Sequence, residues 1–147
     1  MPEIRKILIP VDFSPPSDHA TDYGVDLAEQ LGAEVDVVHA YQIPIYALPD
    51  GGVMVGPEFV SRLTESAQKG LDQLVERYAD RKVKLRTHMA DGAPHLEVQR
   101  LAEELGADLI VMGTHGRTGL RHFLLGSVAE RVVRVSTVPV VTVRLAE

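Results

Sequence analysis

The feature that most restricts the fold of this chain is the regular alternation of short apolar runs with longer segments of helical periodicity. Short apolar or alternating runs are typical of strands, whereas apolar residues spaced three and four apart indicate helices. The predicted strands cover residues 4–11, 34–41, 82–89, 108–112 and 138–145, and the predicted helices cover residues 15–31, 58–79, 94–106 and 128–135. This alternation predicts a three-layer α/β fold around a parallel sheet, with right-handed crossovers.

Two of the five predicted strands carry signals of a sheet edge. Pro139 cannot donate a ladder hydrogen bond, which favours an edge position for the fifth strand. The third strand alternates strictly, as expected of a strand with one solvated face: Val83, Leu85, Thr87 and Met89 alternate with Lys84, Arg86 and His88. Placing both strands outermost gives an open twisted sheet of order 3-2-1-4-5 with helices on both faces. Chain direction reverses between the first and fourth strands, so a ligand crevice is expected at their carboxyl ends.

Local signals place the ends of the first helix. Ser14 precedes two prolines and is a candidate N-cap, and Gly32 is a candidate C-terminal stop. Its predicted inward stripe is Ala20, Gly24, Leu27 and Leu31. Residues 42–57 contain three prolines and three glycines and are longer than an ordinary connection. They are interpreted either as a lid or partner contact, or as an irregular cover over the core.

Length and composition bound the class of protein. At 147 residues, a single domain over 1–147 is expected. The net charge of −6 argues against nucleic acid as the main partner, although one nucleotide needs only a local positive site. There are no cysteines, and no apolar run approaches the length of a membrane span, so a cytoplasmic protein without membrane attachment is expected. The six histidines show no metal-ligand spacing, so no structural metal is expected.

The glycine-rich stretch Met112–Ser127 joins the fourth strand to the fourth helix. Such a junction presents backbone N–H groups and the positive end of a helix, which are the physical requirements for holding phosphate. Glycines there allow the backbone to approach a ligand closely; they are Gly113, Gly116 and Gly126, and the same stretch contains His115, Arg117 and Arg121. The stretch therefore predicts a phosphate site.

Four further features each have a functional and a structural reading. Asp12, at the end of the first strand, could contact a ribose hydroxyl or a metal-bound water, or could simply cap the first helix. Ser127 begins a capping-box pattern with Glu130, so its hydroxyl could bind that N–H or a phosphate oxygen. An adenine slot, or ordinary core packing, is predicted for Val11, Val38 and Met112. His39, at a strand end, is interpreted as a satisfied buried histidine rather than a ligand.

Two common nucleotide signatures are absent. No GxxxxGK[ST] pattern occurs, so the lysine of a P-loop is missing, and the glycines do not form a dinucleotide GxGxxG. No arrangement of serine, histidine and aspartate can be argued from spacing, so no catalytic residue is predicted. The site is therefore expected to hold a nucleotide rather than to hydrolyse it quickly.

The spacing of the glycines resembles the signature of the universal stress protein family. Gly113 is followed after two residues by Gly116, and nine residues later by Gly126-Ser127. The segments Ile9–Ser14 and Pro139–Val143 extend the resemblance over nearly the whole chain. It implies the ATP-binding subgroup, with an adenine-nucleotide α-hydrolase-like, Rossmann-like fold of order 3-2-1-4-5. It also implies a homodimer paired through Val138–Val143 and a regulatory role in stress adaptation.

On this resemblance, the expected ligands are ATP and Mg²⁺, with Asp12 reaching the metal through water. The residues expected to bind the nucleotide are Pro10, Val11, Asp12, Val38, Met112, Gly113, His115, Gly116, Arg117, Gly126, Ser127 and Val128. Two alternatives remain: a slow ATPase or adenylyl-handling enzyme on the same fold, and a nucleotide-free dimeric interaction protein. An unknown regulatory protein partner is compatible with the first reading.

Overall fold

The computed structural model describes residues 2–43, 46–54, 56–115 and 125–145. Within these ranges the strands are β1 (Lys6–Pro10), β2 (Glu34–Tyr41), β3 (Tyr46–Ala47), β4 (Val53–Met54), β5 (Leu85–Asp91), β6 (Leu109–Gly113) and β7 (Val140–Val143). The helices are α1 (Pro15–Leu31), α2 (Pro57–Arg77), α3 (Pro94–Leu105) and α4 (Ser127–Val135). Among the described residues, no helix has both the length and the apolar character needed to cross a membrane.

The central sheet has the order β5-β2-β1-β6-β7, and all its pairs are parallel. In terms of the five predicted strands this is 3-2-1-4-5, so the predicted order is confirmed. The two strands with edge signals, β5 and β7, are the outermost ones. Pro139 lies just before β7, and its carbonyl accepts a hydrogen bond from the Ile110 N–H at 2.9 Å. The proline therefore joins the sheet through its acceptor, without needing the donor that it lacks.

Helices cover both faces of the sheet, which produces two apolar cores. Alternate strand residues point to opposite faces, so β1 contributes Ile7 and Ile9 to one core and Leu8 to the other. The first core packs the sheet against α1 and α2, and the second packs it against α3 and α4. The sheet is thus buried between two helical layers, which leaves the strand ends as the places where polar groups can meet a ligand.

The signals at the ends of the first helix are confirmed. Ser14 is the N-cap of α1, with prolines at the first two helical positions. Gly32 ends the helix in the left-handed conformation, at φ 67°, and its N–H bonds to the Ala28 carbonyl. The predicted inward stripe is partly wrong, because Leu31 is 47% exposed while Val25 and Ala28 are buried. The observed inward face of α1 is therefore rotated by a fraction of a turn from the predicted one.

The segment 42–57, interpreted from the sequence as a lid or partner contact or as an irregular cover, contains a short hairpin. Its strands β3 and β4 pair antiparallel around a tight turn. That turn is closed by the Leu48 N–H on the Gly52 carbonyl at 2.6 Å, with Gly51 at φ 86°. In α4, Val132 is buried, whereas Val135 is 38% exposed.

The polar face of β5 lies against a buried carboxylate. Asp36 on β2 is 2% exposed, and Arg86 reaches both of its oxygens, at 3.0 and 3.2 Å. His88 Nε2 lies 2.9 Å from the same carboxylate. A buried carboxylate requires such partners, because leaving water without them is costly. The alternation that marked β5 as an edge strand therefore reflects pairing with Asp36 as well as contact with water.

Candidate functional site

The residue that follows β1 is hydrogen-bonded to the end of β2. The Val11 N–H donates to the Val38 carbonyl at 2.8 Å, and His39 Nδ1 lies 2.9 Å from the Val11 carbonyl. Since a carbonyl can only accept, Nδ1 carries the proton in this contact. This bond satisfies one ring nitrogen of His39, which is half-buried rather than buried, and the absence of a ligand role for His39 stays a prediction. Pro10, the last residue of β1, pairs in register with Val38.

Asp12 joins this strand end to the start of α1. Its Oδ1 accepts hydrogen bonds from the Ser14 N–H, at 3.0 Å, and from the Ser14 hydroxyl. Its own N–H donates to the Ser17 hydroxyl at 3.1 Å, and the Ser17 N–H lies 3.4 Å from the Ser14 hydroxyl. Ser14 is therefore the N-cap, and Asp12 orients it. Asp12 therefore acts on the helix cap indirectly, by holding the Ser14 side chain, and its contact with a ligand stays a prediction.

Phe13 forms the bend between these groups in an unusual conformation. Within the described ranges it is the only residue other than glycine with a positive φ, at 63°. For a bulky side chain this conformation costs roughly 1–3 kcal/mol and persists only when the surroundings enforce it. Its ring packs on the His39 ring, with centroids 4.6 Å apart. Strain of this kind is concentrated at functional sites.

The end of β6 lies beside the start of α1 because residue 113 is a glycine. A Cβ placed on Gly113 would lie 3.1 Å from the Pro16 carbonyl oxygen and 3.3 Å from that of His115. The next residue, Thr114, donates its N–H to the Val143 carbonyl at 3.1 Å, which fixes it to β7. The turn after β1 and the loop after β6 thus meet at the predicted reversal of chain direction.

The start of α4 closes onto the same loop. The Gly126 N–H donates to the Thr114 carbonyl at 2.5 Å, and a Cβ at Gly126 would lie 3.4 Å from His115 Cα. Gly126 is the N-cap, and its carbonyl accepts from the Glu130 N–H at 2.9 Å. The capping-box prediction for Ser127 is therefore wrong, because Ser127 is already the first helical residue. No hydrogen bond joins its hydroxyl to another described residue, and the first N–H groups of α4 have no partner within the helix.

His115 contributes a buried polar atom at this junction. Its Nδ1 lies 3.1 Å from the Thr114 hydroxyl, whereas its Nε2 is buried and has no hydrogen-bond partner among the described residues. A buried polar atom without a partner costs about 1–3 kcal/mol. Its neighbour Cδ2 lies 3.8 Å from the position that a Cβ on Gly126 would take. The ring edge carrying Nε2 is therefore close to the start of α4.

The predicted apolar slot is not assembled from all three of its residues. Val38 and Met112 are buried in the core on the α3 and α4 side, but Val11 is buried in the core on the other side of the sheet. The side chains of Val38 and Met112 can share a surface, and that of Val11 cannot join them. Val128 packs against the same core as Val38 and Met112. Gly116, Arg117 and Arg121 lie outside the described residues.

Sequence reasoning missed several residues that build this junction. Nothing in the residue type marks Phe13, since phenylalanine is disfavoured at positive φ. One signal was present in Gly70, because an isolated glycine inside a helix usually has a packing reason. A Cβ at Gly70 would lie 2.7 Å from Cζ of Phe13, so the two residues are in direct contact. Ser17, whose hydroxyl accepts from the Asp12 N–H, has no sequence signal beyond its place in the first turn of the predicted helix.

Comparison with known proteins gives a consistent result. The profile described as "Universal stress protein family" matches residues 3–144. The universal stress protein MJ0531 of Methanocaldococcus jannaschii is 39% identical over 142 residues, which cover 95% of this chain and 82% of that protein. These similarities extend over the strand ends and the loop after β6 that form the junction.

Solved structures agree with the fold. The protein MJ0577 of Methanocaldococcus jannaschii, the subject of a structure-based assignment of biochemical function, is 29% identical with a TM-score of 0.81 and covers 99% of each chain. A universal stress protein from Archaeoglobus fulgidus, solved in complex with dAMP, is 21% identical with a TM-score of 0.66. The match covers 97% of this chain and 98% of that one. At that identity the second likeness establishes a shared fold.

Proposed function

The chain belongs to the universal stress protein family, and on this premise we propose that it is a regulatory module that binds ATP where β1 and β6 end. The observation that carries the proposal is the orphaned Nε2 of His115 beside the start of α4. A phosphate oxygen there would give this nitrogen the partner that it lacks among the described residues, and would meet the first N–H groups of α4, which have no partner within the helix. The dAMP complex of the Archaeoglobus fulgidus protein supports an adenine nucleotide as the ligand.

The proposed contacts follow from the chemistry of each group. The N–H groups of Ser127 and Val128 and the Ser127 hydroxyl would donate to phosphate oxygens. Gly113 and Gly126 would keep the backbone free of side chains where the nucleotide approaches. Arg117 and Gly116 are proposed from the family signature alone. The neighbouring surfaces of Val38 and Met112 would hold adenine. Pro10 and Val11 would contact the nucleotide only where it passes the end of β1.

Mg²⁺ is proposed to arrive with the nucleotide. Among the described residues no group of three or more histidines and carboxylates could hold a metal ion. Mg²⁺ keeps several waters and binds through substrate phosphates with one or two carboxylates. Asp12 could supply one such carboxylate through water, while its Oδ1 stays bonded to Ser14. When bound, the ion would offset the charge of the phosphates.

The proposal favours a bound state over turnover. Rapid phosphoryl transfer requires a clamp on the transferred group and a residue that orients the attacking water. The chain has no P-loop lysine, and Asp12 is the evident carboxylate at this junction. The ligand would then serve as a long-lived signal that sets a surface for a regulatory partner, and the slow ATPase remains the alternative.

A homodimer is part of the proposal. Among the described strands β7 is outermost, so its outer edge has no neighbouring strand there, and Val140–Val143 carries no charge that would discourage pairing. Pairing of this edge with that of a second copy would be isologous, which is the commonest closed arrangement. The single domain over 1–147 and a cytoplasmic location remain predictions.

The direct test is to purify the protein without added nucleotide, denature it by heat, and identify what is released by chromatography and mass spectrometry. ATP is the expected product, and calorimetry on the emptied protein should show ATP binding that GTP does not reproduce. Release of no adenine nucleotide, together with no heat of binding for ATP, ADP or AMP, would refute the proposal.

A further inference from the structure

Phe13 holds a conformation that its own chemistry opposes. Its φ of 63° lies in the left-handed region, which residues other than glycine, asparagine and aspartate rarely adopt. The residue stands between Asp12 and Ser14, whose hydrogen bonds connect β1 to α1. A strained bend at this point must be enforced by contacts elsewhere in the fold.

Two contacts of the Phe13 ring supply that enforcement. On one side is His39, with ring centroids 4.6 Å apart and ring planes inclined by 35°. At its tip is the backbone of Gly70 in α2, because a Cβ there would lie 2.7 Å from Cζ, 2.8 Å from Cε2 and 2.9 Å from Cε1. The ring therefore fills the space that a side chain at residue 70 would occupy.

The same histidine also fixes the chain just before the bend, through its Nδ1 contact with the Val11 carbonyl at 2.9 Å. His39 thus holds the backbone on one side of Asp12 and the aromatic ring on the other. With the ring seated against Gly70, the bend has little freedom to rotate. The direction of the Asp12 carboxylate is set by these contacts as well as by its own bonds to Ser14.

We infer that Phe13 is the positioning residue of the nucleotide site, and that Gly70 is the seat that makes this role possible. The inference rests on the proposed function, because it concerns how Asp12 and the start of α1 are presented to the ligand. It also accounts for a glycine in the interior of α2, where this residue is unfavourable for helix formation. Displacing the ring would turn the bend and misdirect the Asp12 carboxylate.

The test is a double-mutant cycle between residues 13 and 70. Gly70→Ala pushes on the ring tip from outside the site, whereas Phe13→Gly removes the ring but accepts the positive φ without strain. In the otherwise unaltered protein, Gly70→Ala should weaken ATP binding by about tenfold, the loss that one misdirected hydrogen bond can produce. In the Phe13→Gly background, Gly70→Ala should change ATP affinity little, since no ring remains to be displaced.

A readout without nucleotide accompanies the cycle. The amide resonances of Ser14 and Ser17 report the geometry of the bend in the ligand-free protein. They should move in Gly70→Ala and should be insensitive to that change once Phe13 is glycine. A matched control is Leu74→Ala, which removes a buried side chain from α2 in the same core and should lower stability without changing ATP affinity.

The possible outcomes distinguish a failure of the positioning role of Phe13 from a failure of the proposed function. Unchanged ATP affinity and unchanged resonances in Gly70→Ala would overturn the positioning role. So would an equal loss of affinity in the Phe13→Gly background, or in Leu74→Ala, because the effect would then not pass through the ring. Failure of the unaltered protein to bind ATP would instead overturn the proposed function, and with it the role of Phe13 in binding.

Discussion

His39 and Val11 are joined by a contact of 2.9 Å between the imidazole Nδ1 and the backbone carbonyl oxygen. The other polar group of Val11, its N–H, is bonded to the Val38 carbonyl. The end of β2 thus engages both backbone groups of the first residue after β1. The place of Val11 in the candidate site follows from its position, and its N–H is not available as a donor to a ligand.

Gly126 should be sensitive to any side chain. In Gly126→Val we expect ATP affinity to fall at least tenfold, roughly 1.4 kcal/mol or more, because the added carbons meet the Thr114 carbonyl and obstruct the approach of phosphate. Calorimetry with ATP measures the change. The matched control is Gly56→Val, at another extended N-cap glycine, where an added Cβ would have no neighbour within 4 Å among the described residues. Equal affinity in a folded Gly126→Val protein would contradict the prediction.

Val141→Lys should convert the expected dimer into monomers, because it places a charge in the edge strand β7 that would pair with its copy. Light scattering gives the molar mass, and circular dichroism establishes that the variant is folded. Val135→Lys serves as the control, since this residue is exposed on α4 rather than on the sheet edge. A Val141→Lys protein that remains dimeric would place the interface on another surface.

Turnover distinguishes a nucleotide switch from an enzyme. Without a residue that positions water, we expect hydrolysis far slower than the ~10 s⁻¹ of a median enzyme, on the order of once in minutes or longer. Single-turnover measurements with labelled ATP give the rate. Hydrolysis near one per second, lost in Asp12→Asn while binding persists, would identify an ATPase instead. Thermal unfolding of Asp12→Asn should accompany the assay, because Asp12 also orients the cap of α1.

Arg86→Leu should destabilise the fold by about 2–3 kcal/mol, because it leaves the buried Asp36 carboxylate with one partner fewer. The partial exposure of Arg86 and the remaining contact with His88 keep the loss below that of a fully buried pair. Urea unfolding measures the change in free energy. Lys84→Leu removes the same charge from a residue just before β5, where it forms an exposed pair with Glu34, and should change stability by less than about 1 kcal/mol. Similar losses in both variants would refute the role assigned to Asp36.

Tyr78 should contribute a pH dependence at high pH. Burial and its hydrogen bond to Asp22 raise the pKa of the Tyr78 hydroxyl above its ordinary value. Because the folded pKa exceeds the unfolded value of about 10, this stabilisation is complete below pH 10 and is lost as pH rises further. Ultraviolet titration of the four tyrosines should show one that ionises late, and Tyr78→Phe should remove it. Uniform ionisation of all four in the folded protein would contradict the prediction.

The order of the sheet could be predicted from the sequence, because edge strands have recognisable local patterns. Pro139 and the alternation through residues 84–88 were sufficient to place β7 and β5 outermost. The ends of α1 were also fixed locally, since Ser14 and Gly32 act within one turn of the backbone. The crevice between β1 and β6 then followed from topology.

The assembly of the site could not be predicted from the sequence, because it depends on contacts between residues far apart in the chain. The φ of Phe13 is enforced by His39 and Gly70, which lie 26 and 57 residues further along. Burial of Asp36 depends on Arg86 from another strand. The N-cap of α4 is Gly126, whose N–H donates to the Thr114 carbonyl. Periodicity indicates which residues share a face of a helix or strand. Packing determines which faces meet, and which residues are kept in an unfavourable backbone conformation.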